Sequence, residues 1–248
     1  MKCWPKLYDT TYNRLYPVDA RSFAGGGGCA ARPLGGHRAA VLTMHFQLQN
    51  AILNVLLLWI LTAPHEFAHA WVATLLGDDT PRRDGRVTLY PLAHVDWLGT
   101  AILPFLTSLL GGGFLGWGKP VRTDPSQLKG GLNGLALVSL AGPFSNVVFA
   151  VVLGVVAVAA ARPLPAFSQF AVRGVWLSLY LAIFNLLPVP PLDGSKLLLA
   201  ARIPMAIYIE ISRFGFMLLI VAVSLSDFGR WMSQWSIWGA RAILGVLQ

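Results

Sequence analysis

The stretch that decides the fold is Phe46–Leu76, FQLQNAILNVLLLWILTAPHEFAHAWVATLL, 31 residues whose only carboxylate is Glu66. As a helix rising 1.5 Å per residue it would extend roughly 46 Å, enough to cross a bilayer with tilt. Similar runs follow: 22 uncharged residues lie between Asp96 and Lys119, 32 between Lys129 and Arg162, and 19 between Arg173 and Asp193. One crossing needs about 20 apolar residues. The 248-residue chain is 55% hydrophobic and 12% charged, with a mean hydropathy of +0.60. That is about half the charge of an ordinary soluble domain. The expectation is an all-α polytopic membrane protein with about four to six membrane helices.

The formal charge of +8 does not point to nucleic acid, whose binders cluster basic residues on one soluble face. Here the basic residues sit in short segments between apolar runs, where membrane topology accounts for them. Two cysteines, Cys3 and Cys29, are too few for a zinc ribbon or a disulfide framework. Residues 1–43 differ from the rest. They are charged and irregular, contain the run Gly25 to Gly28, and hold no apolar stretch long enough for a signal peptide. They are expected to be a disordered N-terminal extension or an over-extended start, with residues 44–248 forming the membrane domain.

Further along, Arg86-Val-Thr-Leu-Tyr-Pro91 combines β-branched and aromatic residues and is expected to form a short β element after the first helix. Trp97–Leu115 is apolar but interrupted by Pro104 and closed by Gly111, Gly112 and Gly113, the pattern of a re-entrant or surface segment. Leu132–Ala160 is the cleanest crossing, stopped by Arg162-Pro-Leu-Pro. Val175–Leu187 and Ile203–Leu225 are further helix candidates. Trp231, Trp235 and Trp238 beside Arg241 suit an interfacial helix at the end of the chain.

Within the first apolar run lies His65-Glu66-Phe67-Ala68-His69. Histidines at i and i+4 project from one helical face, so both can grip one metal while the glutamate between them reaches a water on it. Ionisable groups inside a membrane helix cost several kcal/mol unless paired or metal-bound, so they are functional by default. A catalytic zinc takes three protein ligands and keeps one position open. The third ligand is open on spacing alone. No cysteine lies in the membrane part; His45, His94 and Glu210 remain, and Glu210 has Arg213 as a local partner. Asp193, in Leu192-Asp193-Gly194, is the better candidate, although an aspartate there also suits a helix N-cap.

These residues resemble the site-2 protease family of intramembrane zinc metalloproteases. The resemblance rests on His65-Glu-Phe-Ala-His69, on Asn185-Leu-Leu-Pro-Val-Pro-Pro-Leu-Asp193-Gly194, and on Gly142-Pro-Phe-Ser-Asn146. Gly116-Trp-Gly-Lys-Pro-Val121 and the segment from Thr80 to His94 also look like its compact prokaryotic branch. It runs from about residue 46 to 200, with no inserted run resembling PDZ or nucleotide-binding modules.

The resemblance implies one zinc ion held by His65, His69 and Asp193, with Glu66 as the acid/base, and a transmembrane protein substrate cut within or near the bilayer. Asn146 and Asn185 are amide donors suited to an oxyanion or to substrate backbone, or else to interhelical hydrogen bonds. His94 is left between a substrate-side contact and an ordinary hydrogen-bonded pair. The rival reading is a metal transporter or a non-proteolytic metal-binding membrane protein.

For His65, His69 and Asp193 to meet at one depth, the helices leading to them must run in the same direction, with an odd number of crossings between. The loops flanking the motifs hold Arg82, Arg83, Arg86, Lys119, Arg122, Lys129, Lys196 and Arg202, against Arg162 and Arg173 opposite. By the positive-inside rule the site is expected to open toward the cytoplasm from the cell membrane.

Overall fold

Breaks at Gly77, Arg162-Pro163 and Pro188 divide the apolar runs into separate helices, as the breaker residues demand. The computed structural model describes residues 36–109, 116–225 and 228–247. The elements are α1 (Gly36–Leu75), α2 (Thr80–Arg83), a 3-10 turn at Pro91–His94, a π turn at Trp97–Ile102 running into α3 (Leu103–Leu109), α4 (Leu132–Ala160), α5 (Pro165–Asn185), α6 (Ser195–Ala200), α7 (Met205–Leu225) and α8 (Phe228–Leu247). Phe46–Gln248 forms one compact unit. Of the residues 1–43 set apart by sequence, 1–35 lie outside the described residues, and Gly36 opens α1.

Among the described residues, three helices are long and apolar enough to cross a membrane: Leu48–Leu75, Leu132–Ala160 and Pro165–Asn185. Lipid offers no hydrophobic drive for helices to associate, so close packing through small residues decides which face turns inward. In α4 the buried positions include Gly134, Gly142, Ala150, Gly154 and Ala157, while Val147, Val148, Val151, Val152 and Val155 face outward. A Cβ on Gly154 would stand 2.8 Å from Ile243 of α8, and one on Gly174 2.9 Å from Leu153 of α4.

The contacts fix helix directions. Ala73, late in α1, packs with Leu135 and Val138, early in α4, while His65, earlier in α1, meets Asn146, later in α4, so these two helices are antiparallel. Leu57, Leu58 and Leu61 of α1 pack with Leu177 and Leu181 of α5, and the chain after α5 delivers Asp193 to His65 and His69. Helices α1 and α5 therefore run the same way with α4 reversed between them, the arrangement the motif positions require. The 13 residues Trp97–Leu109 are too short to cross. They are tied down at their start: Asp96 accepts from the N–H groups of Leu98 and Gly99 at 3.0 and 2.9 Å, and Trp59 of α1 donates to the Thr100 carbonyl at 3.1 Å. Gly111 to Gly113 lie outside the described residues.

The expected β element after α1 is corrected. No strand occurs among the described residues, and Arg86–Tyr90 is irregular chain leading into the 3-10 turn. A strand needs a partner ladder, and here the segment's backbone groups bond locally, Arg86 N–H to the Pro81 carbonyl and Ala93 N–H to the Tyr90 carbonyl. Buried Arg86 donates to the carbonyls of Ala93 and Lys119, and His94 Nε2 lies 2.8 Å from the Thr88 carbonyl. The apolar residues that suggested a strand, Leu89 and Tyr90, are exposed.

After α6, α7 lies against the loop before Asp193 so closely that a Cβ on Gly215 would stand 2.1 Å from the Pro190 carbonyl oxygen. Helix α8 packs Met232, Ser236 and Ala240 inward and leaves Trp231, Trp235 and Trp238 exposed, in edge-on contact at 5.9 Å spacings.

Candidate metal centre

His65 and His69 project from one face of α1, four residues apart, and both are buried. Each ring is oriented through Nδ1. The His69 Nδ1–H donates to the Val138 carbonyl of α4 at 2.7 Å, which leaves Nε2 as the lone-pair nitrogen. His65 Nδ1 lies 3.2 Å from the side-chain amide nitrogen of Asn146, whose Oδ1 is buried without a partner. Amide oxygen and nitrogen are assigned from their surroundings; turning the Asn146 amide over gives Oδ1 the His65 Nδ1–H and frees the second Nε2 as well. Metal-bound histidines are held in this way.

Asp193 reaches the pair from the loop after α5. Its Oδ2 lies 3.1 Å from His65 Nε2 and 3.0 Å from His69 Nε2, and the two Nε2 atoms are 3.1 Å apart. Three ligand atoms thus form a nearly equilateral triangle. Ligands on a tetrahedral zinc at about 2.0–2.1 Å stand about 3.3 Å from one another, so the triangle matches one face of that tetrahedron to a few tenths of an ångström. Among the described residues this is the group of histidine and acidic side chains able to hold a metal. Burial alone would raise the Asp193 carboxyl, but His69 and His65 against it hold it well below the usual carboxylate range. The N-cap alternative for Asp193 fails, because the N-cap of α6 is Gly194, with no side-chain cap hydrogen bond.

Space for this arrangement comes from α4. A Cβ on Gly142 would stand 2.3 Å from His69 Nε2 and 2.7 Å from His65 Cε1. Glu66 is buried beside its neighbours, and its Oε2 accepts from the Val121 N–H at 3.2 Å. The connector carrying Val121 approaches so closely that a Cβ on Gly118 would stand 2.4 Å from Thr62 Cγ2 and 3.2 Å from Glu66 Oε1.

His65, His69, Asp193, Glu66 and Asn146 are therefore brought together. Asn185 is not oriented into the triangle: its amide donates to the Leu181 carbonyl at 3.0 Å, while its own carbonyl closes the Asp193 loop by accepting from Gly194 N–H at 2.7 Å. His94 stands outside the ligand group, buried and bonded to Thr88; burial lowers its pKa, with Arg86 adding to the effect and the Thr88 carbonyl opposing it. Glu210 pairs with Arg213 on an exposed surface of α7. Sequence reasoning missed Lys196, whose Nζ lies 3.1 Å from Asp193 Oδ1. Its signal was the i, i+3 spacing, which the topological reading of its charge obscured. Buried Asp78 was also missed; it accepts from Thr80 N–H at 2.9 Å and Asp124 N–H at 2.7 Å.

Two histidines on one helix, a carboxylate from another segment and a glutamate between the histidines define a metalloprotease-type centre in a bundle of apolar helices. Residues 161–222 match the family model Peptidase family M50. The chain is 39% identical over 142 residues to "Putative zinc metalloprotease YwhC" of Bacillus subtilis (strain 168), covering 54% of this chain and 62% of that protein. It is 32% identical over 179 residues to "Putative zinc metalloprotease Rip2" of Mycolicibacterium smegmatis, covering 70% of this chain and 67% of that protein. The chain belongs to peptidase family M50, and the site-2 protease resemblance is borne out. The matches span about two thirds of each relative's length. No solved structure matches.

Proposed function

We propose that this protein is a zinc-dependent endopeptidase that cuts transmembrane segments of other membrane proteins within or near the bilayer. The observation that carries the reading is the buried triangle of His65 Nε2, His69 Nε2 and Asp193 Oδ2, 3.0–3.1 Å on a side, with Glu66 next to it in sequence. When bound there, zinc supplies a Lewis acid that polarises the scissile carbonyl and lowers the pKa of water. Glu66 takes the proton of the attacking water and returns it to the leaving amine, the work of a general acid/base. Val121 N–H, donating to Oε2, leaves Oε1 for that exchange. Asn146 orients His65, and Asn185, whose carbonyl closes the Asp193 loop, is a candidate for substrate backbone once its amide leaves Leu181. The cationic residues of the segments flanking the site support a cytoplasmic opening.

Zinc analysis of the purified protein and cleavage of a single-pass membrane substrate, with wild type and Glu66→Gln, test the reading. The variant should retain one zinc per chain and lose at least about 100-fold in cleavage, the scale of general acid/base catalysis. Metal transport without cleavage by either form would return the transporter reading instead.

A further inference from the structure

The two oxygens of Asp193 have different environments. Oδ2 faces both imidazoles, whereas Oδ1 is 3.1 Å from the ammonium of Lys196, one helical turn on in α6. The Asp193 side chain is 12% exposed and that of Lys196 30%, so the pair lies at the rim of the site with its carboxylate end inside. A carboxylate beside a metal ion can bind through one oxygen or through both. If both bind, the position that water must occupy is crowded, and the ion loses part of its Lewis acidity to the second oxygen.

We propose that Lys196 is a positioning residue, an ammonium clamp that reserves Asp193 Oδ1 for itself and leaves Oδ2 alone for the ion. The inference rests on the zinc reading of the triangle and deepens it. It follows from charge as well as geometry. Groups that hydrogen-bond to a ligating carboxylate fix its orientation and tune the metal, and a charged donor makes a stronger bond than a neutral one. Lys196 is also anchored for the task. Its own backbone N–H donates to the Asp193 carbonyl at 3.0 Å, and the neighbouring Ser195 hydroxyl donates to the Leu192 carbonyl at 2.6 Å. Clamp and carboxylate therefore sit on one short, internally braced turn. Helix α7 adds a brace from outside, with Tyr208 OH 3.3 Å from Ser195 Oγ.

The test uses Co2+ as the probe, on the full chain in detergent, because its visible absorption separates four-coordinate from five-coordinate sites. Wild type should show the intense bands of a tetrahedral site. Lys196→Met should bind Co2+ at least as tightly as wild type, because the freed Oδ1 is a further donor and a charge that repels the cation is gone. Its bands should fall toward five-coordinate intensity as Oδ1 turns to the ion. Lys196→Arg, which keeps the charge, should keep the tetrahedral bands. A Lys196→Met protein with the wild-type spectrum would overturn the clamp while leaving the metal reading intact. Equal loss of band intensity in the Met and Arg variants would also overturn it. A wild type that binds no Co2+ would overturn the metal reading, and the clamp with it.

Discussion

Gly142 shows how much of this site is a matter of room rather than of ligands. It sits within α4 under both imidazoles, where a methyl group would fall 2.3 Å from His69 Nε2. Alanine is the better helix former by about 1 kcal/mol, but forcing a methyl against two buried rings costs about 1–3 kcal/mol, so Gly142→Ala should keep its helix content and lose some thermal stability. Zinc affinity should drop at least about tenfold, as displaced metal ligands do. Metal titration beside circular dichroism checks both halves. At this scale the sequence was readable where chemistry is local. His65, Glu66 and His69 follow from the turn of one helix, whereas Asp193, 128 residues beyond His65, came through elimination and resemblance. The partners of Asn146 and Asn185 were open, because an amide serves a ring, a substrate or its own helix equally well. Only the fold places Asn146 on His65 and Asn185 on Leu181.

The long elements were legible because lipid enforces a strict rule, long apolar stretches broken by prolines and charges, and α1, α4 and α5 obey it. The short ones were not. Arg86–Tyr90 has the composition of a strand, yet its Thr88 and Tyr90 carbonyls are taken by His94 and by the Ala93 N–H, so no ladder forms. No composition scale contains that information. The connection from α1 to α4 is pinned the same way by Asp78, whose carboxylate accepts the N–H groups of Thr80 and Asp124. Replacing it with alanine strands two half-buried donors, and each hydrogen bond to a charged group contributes about 1.5 kcal/mol or more. Asp78→Ala should therefore lower the unfolding free energy in mild detergent by about 3 kcal/mol. Asp78→Asn, which keeps one acceptor, should cost less. A change below about 0.5 kcal/mol would remove Asp78 from the list of structural anchors.

For the whole molecule, the three apolar helices found among the described residues, with α1 and α5 parallel, place the α4–α5 turn on the face opposite the segments around Lys129. With Cys3 and Cys29 replaced by serine, a single cysteine at Arg162 should react with an impermeant thiol reagent from outside intact cells. One at Lys129 should react only after permeabilisation. The reverse pattern would invert the cytoplasmic orientation, and labelling of both from one side would contradict the three-helix arrangement.

An ion seated among His65, His69 and Asp193 would be more than a reagent, because its donors lie 124 and 128 residues apart. It would act as a cross-link closing a long loop, and in a chain-entropy picture a loop of that length is worth about 4–5 kcal/mol. Withdrawing the ion with a chelator would then slacken the bundle as well as silence it, so the same atom would double as the tether between α1 and the loop that follows α5.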